Sequence, residues 1–171
     1  MSLNVWRFVA LLLGALALTM ESAHVLELPQ KLAYDAQFYA AVNGTLYRWF
    51  AVVGGAVQVG SIAAAAVLAY LSRNRRRSFP WALGAAVALL LAFGVWLGAV
   101  EPVNLQVADV QRSTPEAVPV IWARLRDRWE WGHAAGFVVQ LAGYCALVAS
   151  VLAELRHAER LRRVDRRSEL A

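Results

Sequence analysis

The sequence predicts an all-α membrane protein, an antiparallel bundle of four transmembrane helices, and three observations carry that expectation. The 171 residues are 60% hydrophobic and only 17% charged, where a soluble domain carries about a quarter charged residues. The apolar residues gather into four stretches near the ~20 residues needed to cross about 30 Å of hydrocarbon. The charges fall between those stretches and at the C-terminus. No linker, long repeat or low-complexity tract divides the chain, so 1–171 reads as one membrane domain.

The first span is expected over 5–26, with Arg7 close enough to its end to snorkel into the headgroups. Met20-Glu21-Ser22-Ala23 is a poor small-x-small cleavage site, so the segment reads as a retained anchor and not as a signal peptide. The second span, 49–72, and the third, 80–100, contain no charged residue, and the fourth, 132–153, contains only His133 among ionisable groups of the His, Lys, Arg, Asp and Glu types. Pro29, Pro80 and Pro102 stand at the edges of these runs, where a missing backbone donor is tolerated. A basic tail, 154–171, follows.

Orientation follows from the cations. Arg7, the arginines of 73–77 and those of the tail make eleven on one side, against six for Lys31, Arg48, Arg112, Arg124, Arg126 and Arg128 on the other. The richer side is expected in the cytoplasm, which places both termini inside an inner (plasma) membrane and the loops 27–47 and 101–131 outside. The net charge of +5 lies beside the spans, so its partner is anionic lipid and not nucleic acid. Cys145 is the sole cysteine and excludes an internal disulfide. The Ala- and Arg-rich composition suits a bacterial chain.

The outer loops carry helix signals of their own. Asp35 can cap a short helix through Tyr39 and Val42. Thr114-Pro115-Glu116 reads as a helix start, and Val118, Ile121, Trp122, Leu125 and Trp129 follow at helical spacing, so the fourth helix should begin well outside the bilayer. Within the spans, Gly94-x-x-x-Gly98 has the spacing that opens a groove for a neighbouring backbone, in this chain or in a second copy as a homodimer. Gln58 and Gln140 should face the interior, where the simplest role is a helix-to-helix hydrogen bond. Below His133, the face bearing Phe137, Gln140 and Tyr144 could line a pocket.

Once this topology is fixed, six ionisable groups reach one depth: Glu21, His24 and Glu27 at three-residue spacing, Glu130 and His133 at the same spacing, and Glu101 at the end of the third span. Three chemistries suit them. Glu-x-x-His pairs on facing helices hold two iron or manganese ions in four-helix bundles, although here the second span supplies no carboxylate; copper is a further choice, and haem between two histidines ranks below these metals. Without a metal, His24 or His133 can act as a general base whose tautomer a nearby Glu sets. The plain structural alternative pairs Glu27 with Lys31 and Glu130 with Arg126 as surface contacts. Trp122, Trp129 and Trp131, interleaved with Arg124, Arg126 and Arg128, read as interfacial anchors or as a lid that grips a planar substrate.

Pro102-Val103-Asn104, a spacer ending in Trp122, then Arg124-Leu125-Arg126-Asp127-Arg128-Trp129-Glu130 and His133 before a terminal span resembles the DUF1772, or anthrone oxygenase-like, family of four-span membrane proteins. The resemblance is clearest over 101–153. It implies that Asn104, Arg128, Trp129, Glu130 and His133 occupy the family's motif positions, and some members oxidise anthrones to anthraquinones with molecular oxygen. The expected function is therefore a small membrane oxidoreductase, an oxygenase for a hydrophobic aromatic or quinone-like small molecule entering from the lipid bilayer. His24 and His133 would be metal ligands or bases, with Glu21, Glu27, Glu101 and Glu130 as ligands or partners, and Arg128 and Asn104 would position substrate or stabilise an oxyanion. The alternative is a non-catalytic accessory subunit or small-molecule- or haem-binding protein. No phosphate-binding glycine loop, Cys-x-x-Cys or serine nucleophile motif is present.

Overall fold

The fold was examined in a computed structural model, which describes residues 2–47 and 49–169, with side chains as far as Leu155. Arg48 and the tail arginines that enter the charge comparison lie outside the described side chains. Helix α1 is Leu3–Ala33 and α2 is Ala36–Leu46; a π-helical turn, Phe50–Gly54, leads into α3, Gly55–Leu71. Helix α4, Phe79–Val95, passes through a second π turn, Trp96–Val100, into α5, Glu101–Ser113. A 3₁₀ turn at Pro115–Ala117 opens α6, Val118–Glu169.

Four helical rods are long and apolar enough to cross a membrane: Leu3–Ala33, Phe50–Leu71, Phe79–Ser113 and Pro115–Leu155. The expected membrane-helix bundle is what the chain forms. Three rods outrun their apolar stretches. The end of a hydrophobic run marks where lipid ends, whereas a helix continues until its backbone bonding is interrupted. Pro29 accordingly lies inside α1, not at its end, and Pro102 sits in the first turn of α5. The two helix starts in the loops 27–47 and 101–131 are where sequence places them: Asp35 Oδ1 accepts from the Phe38 amide at 2.8 Å to cap α2, and a 3₁₀ turn led by Pro115 opens α6 after Thr114.

Each spanning rod packs on two neighbours, α1 on α3 and α6, and α4 on α3 and α6. The centre is built of small side chains, Ala10, Ala64, Ala65, Ala82 and Ala85, around Leu68, Leu89 and Leu147, so the rods approach closely. Glycine matters most at Gly132, where a Cβ would stand 2.9 Å from Val100 Cγ2 and 3.0 Å from Ala99 Cβ. Gly94 and Gly98 meet no neighbour among the described residues, since nothing there lies within 4 Å of a Cβ built on either.

The two ends of the bundle differ. At the end carrying the termini, Glu154 accepts hydrogen bonds from Arg75 (2.6 Å) and Ser78 (2.7 Å) and faces Arg7 at 3.4 Å, tying α1 and the α3–α4 turn to α6. At the opposite end, α2, α5 and the start of α6 close over the bundle through a second apolar cluster of Tyr39, Val100, Val103, Val118, Trp122 and Trp129. Beneath that cover lies the site.

Candidate functional site

Helix α6 supplies one wall, because Trp129, His133, Gly136 and Gln140 recur at spacings of three and four and so share a face. Opposite, α1 brings Ala17, His24 and Lys31 to one buried stripe at seven-residue intervals. Between them lies a cavity of about 380 Å³, within the range of small-molecule sites, roughly 300–1,000 Å³. Glu21, His24, Glu101, Asn104, Trp129 and His133 line its covered end, and Gln58 and Gln140 line it two turns deeper. Its most exposed lining residues, Ala51 and Leu105, are both apolar.

Four of the six clustered ionisable residues therefore share one cavity, and two do not. Glu27 is exposed on α1 and lines no part of it. Glu130 is fully buried behind the lining, where its Oε1 lies 3.0 Å from Lys31 Nζ and accepts the Tyr39 hydroxyl at 2.7 Å. This replaces the expected surface pairs: Lys31 closes on Glu130 and not on its helix neighbour Glu27, while Arg126 donates to the Tyr34 carbonyl at 2.8 Å. An ion pair so buried needs both partners, since a lone charge there would lack solvation. Burial, reinforced by the Glu130 charge, holds the Tyr39 phenol well above its usual range, so Tyr39 keeps its proton and donates.

His133 is oriented from across the bundle. Its Nδ1 lies 3.1 Å from Glu21 Oε2, the distance of an imidazole N–H donating to a carboxylate, and this leaves the Nε2 lone pair as the basic position. His24 stacks on His133 with ring centroids 3.9 Å apart, and Tyr47 covers its other side at 4.7 Å. Trp129 meets both imidazoles edge-on, at 5.0 and 4.4 Å. Stacked rings present faces and not converging lone pairs. Among the described residues, no group of three or more His, Cys, Asp or Glu is arranged to hold a metal ion.

The remaining motif residues act as supports. The Trp129 indole donates to Asn104 Oδ1 at 2.9 Å, and Asn104 Nδ2 donates to Glu101 Oε2 at 3.1 Å, a relay that fixes Trp129 against α5. Arg128 is exposed and donates to the Gly98 and Ala99 carbonyls at 2.9 and 3.1 Å, so it braces the π turn and does not line the cavity. Trp122 and Trp129 are buried; Trp131 alone of the three is exposed in the manner of an interfacial anchor. On the inner face of α6, Gln140 lines the cavity, whereas Phe137 and Tyr144 do not.

Sequence reasoning passed over Lys31, Tyr39, Asn43 and Tyr47. A usable signal existed for Lys31: it stands seven residues after His24, on the face that buries the imidazole. Tyr39, Asn43 and Tyr47 repeat every four residues along α2 and its C-cap, one stripe turned to the bundle. Comparison with protein-family models, with curated proteins and with solved structures finds no match. The resemblance over 101–153 rests on its quoted residues alone.

Proposed function

We propose that the chain is a small membrane oxidoreductase that takes a flat, hydrophobic hydroxy- or keto-aromatic molecule from the bilayer and begins its oxidation by removing a proton at His133. The observation that carries this reading is the pairing of His133 with Glu21 inside a mainly apolar cavity. There a neutral imidazole with a fixed tautomer is a base, and the adjacent carboxylate stabilises the imidazolium that forms. The eleven-to-six bias of Lys and Arg supports termini in the cytoplasm of an inner membrane. The cavity then sits in the outer half of the bilayer, and its apolar open side suits entry from lipid.

Dioxygen is the oxidant in this proposal. For an anthrone-like substrate, His133 takes a proton from the ring CH₂, leaving an electron-rich enolate. Reaction with O₂ converts CH₂ to C=O: one oxygen atom enters the product, and the second leaves as water with the two hydrogens. Deprotonation needs no metal from the protein, which fits a donor set not arranged to hold one. The stacked His24 and the Trp129 edge supply aromatic surface for a flat ligand.

The test uses the full chain in lipid nanodiscs with 1,8-dihydroxyanthrone, following oxygen uptake, quinone absorbance and bound metal. The wild type should consume one O₂ per quinone formed, and H133Q should bind the anthrone yet lose about 10²–10⁴-fold in rate. Binding without oxygen uptake above the spontaneous rate would favour the rival reading, a non-catalytic small-molecule binder. Stoichiometric iron, copper or manganese lost in H133Q would overturn the metal-free base.

A further inference from the structure

At the inner end of the cavity, two amides are fixed in a way that leaves one donor over. Gln58 Nε2 donates to the Leu89 carbonyl at 3.2 Å, which a carboxamide oxygen could not do, so the orientation of Gln58 is set. The same nitrogen lies 3.1 Å from the Gln140 amide, and Gln140 must therefore present its oxygen. Its NH₂ is turned elsewhere: Gln140 is 1% exposed, and its Nε2 has no hydrogen-bond partner among the described residues. A buried amide N–H without an acceptor costs about 1–3 kcal/mol. Gln140 lines the cavity, so a molecule within it is positioned to supply that acceptor.

The opposite end of the space carries the complementary feature. His133 stands seven residues before Gln140 on the same helix, about 10 Å away along the axis at 1.5 Å per residue. Gly136, midway between them, leaves that wall without a side chain, and Gly54, Gly55 and Ala17 keep the facing walls low. The result is a slot with a base at one end and a donor at the other, low along these small residues and flanked by Met20, Phe50, Phe93 and Trp96.

From this we infer that Gln140 is a ligand-binding residue, and that the molecule taken is two-headed: a flat aromatic with an acidic hydroxyl or enol at one end and a carbonyl-type acceptor at the other. The acidic head meets His133, and the acceptor head takes the Gln140 N–H. This rests on the proposed function for the His133 end and adds the second recognition point.

Three naphthalene probes separate the two claims in nanodiscs holding the full chain: 6-acetyl-2-naphthol with both heads, 2-naphthol with the hydroxyl alone, and 2-acetylnaphthalene with the carbonyl alone. 6-Acetyl-2-naphthol should bind about three- to tenfold more tightly than 2-naphthol, the worth of one hydrogen bond. Q140L should erase that advantage while leaving 2-naphthol affinity within twofold, and H133Q should weaken both naphthols while sparing the acyl advantage. Emission of the bound acyl naphthol, red-shifted by a hydrogen bond to its carbonyl, should move to the blue in Q140L, a readout that a merely structural glutamine would leave still. If Q140L fails to fold, Q140M serves in the same comparison. Equal affinity of wild type for the two naphthols, or equal loss of both in the Gln140 variant, overturns the role of Gln140 and leaves the His133 reading standing. No binding of any naphthol overturns both.

Discussion

Glu130 is the group whose removal the fold should tolerate least. Its carboxylate is 0% exposed, Lys31 is 2% exposed at the side chain, and 3.0 Å separates their charged atoms. Glu130→Leu strands the ammonium, at about 3–5 kcal/mol for breaking a buried pair from one side. The Tyr39 hydroxyl loses its acceptor as well, at about 1–3 kcal/mol. Against this, the Tyr47 and Trp129 rings lie 4.2 and 4.5 Å from Lys31 Nζ, and such faces return up to about 2 kcal/mol to a desolvated cation. The net expectation for Glu130→Leu is a loss of about 3–5 kcal/mol, and Lys31→Met should cost about 3 kcal/mol by stranding the acid. The double variant removes both charges and should cost only about 1–2 kcal/mol, chiefly the orphaned Tyr39 hydroxyl. The cycle therefore predicts a coupling of about 4–7 kcal/mol, measured by unfolding in bicelles with SDS while following helicity. Additive single effects, with coupling below about 0.5 kcal/mol, would show the two charges to be independently solvated and the buried pair absent.

Two smaller perturbations test the parts of the fold that hold the cover in place. Asp35→Ala removes the α2 cap and should cost about 1 kcal/mol locally, seen as roughly fivefold faster hydrogen exchange at the Phe38 amide with little change in global unfolding. Gly132→Ala forces a methyl against Val100 and Ala99 and should destabilise by about 1–3 kcal/mol, whereas Gly94→Ala, which meets nothing within 4 Å, should stay within about 0.5 kcal/mol of wild type; the reverse order in the same unfolding assay would contradict the packing.

Hydropathy made the spans legible because lipid imposes a length and an apolarity on every crossing segment. The capping chemistry of Asp35 and the Pro-led start of α6 were legible for a different reason, since both are local. The Gln58–Gln140 bond was also foreseeable, because an amide in a span has few other options. What spacing could not give was the choice among partners. Glu130 and His133, three apart, belong to one face in sequence, yet Glu130 turns to Lys31 on α1 and His133 to Glu21. Both choices are made across the bundle, at separations of about a hundred residues, where periodicity carries no information. The glycine pair Gly94 and Gly98 meets the same limit, as spacing shows that a groove exists but not which helix occupies it.

The placement of Glu101 and Asn104 has a cause that no 3.6-residue pattern contains. From Trp96 to Glu101 is five residues, which in an α-helix turns the second side chain about 140° away from the first. Both nevertheless line the cavity, together with Asn104 and Ala108. The π turn Trp96–Val100 accounts for this, since i→i+5 bonding takes up roughly one extra residue and restores the face. Arg128 donates to the Gly98 and Ala99 carbonyls within that turn, which gives the exposed arginine a structural reason to stand beside Trp129. Deleting the lipid-exposed Leu97 removes that extra residue: Trp96 and Glu101 become four apart, and a plain α turn keeps them, and with them α5, on the same face. Asn104 should then stay on the Trp129 indole, and the Trp129 N–H resonance in a ¹⁵N-tryptophan spectrum should stay near its wild-type position, whereas Asn104→Leu moves it. A Trp129 resonance moved by the deletion as far as by Asn104→Leu would show that α5 loses its face when the extra residue goes, and that the π turn does not act by absorbing that residue.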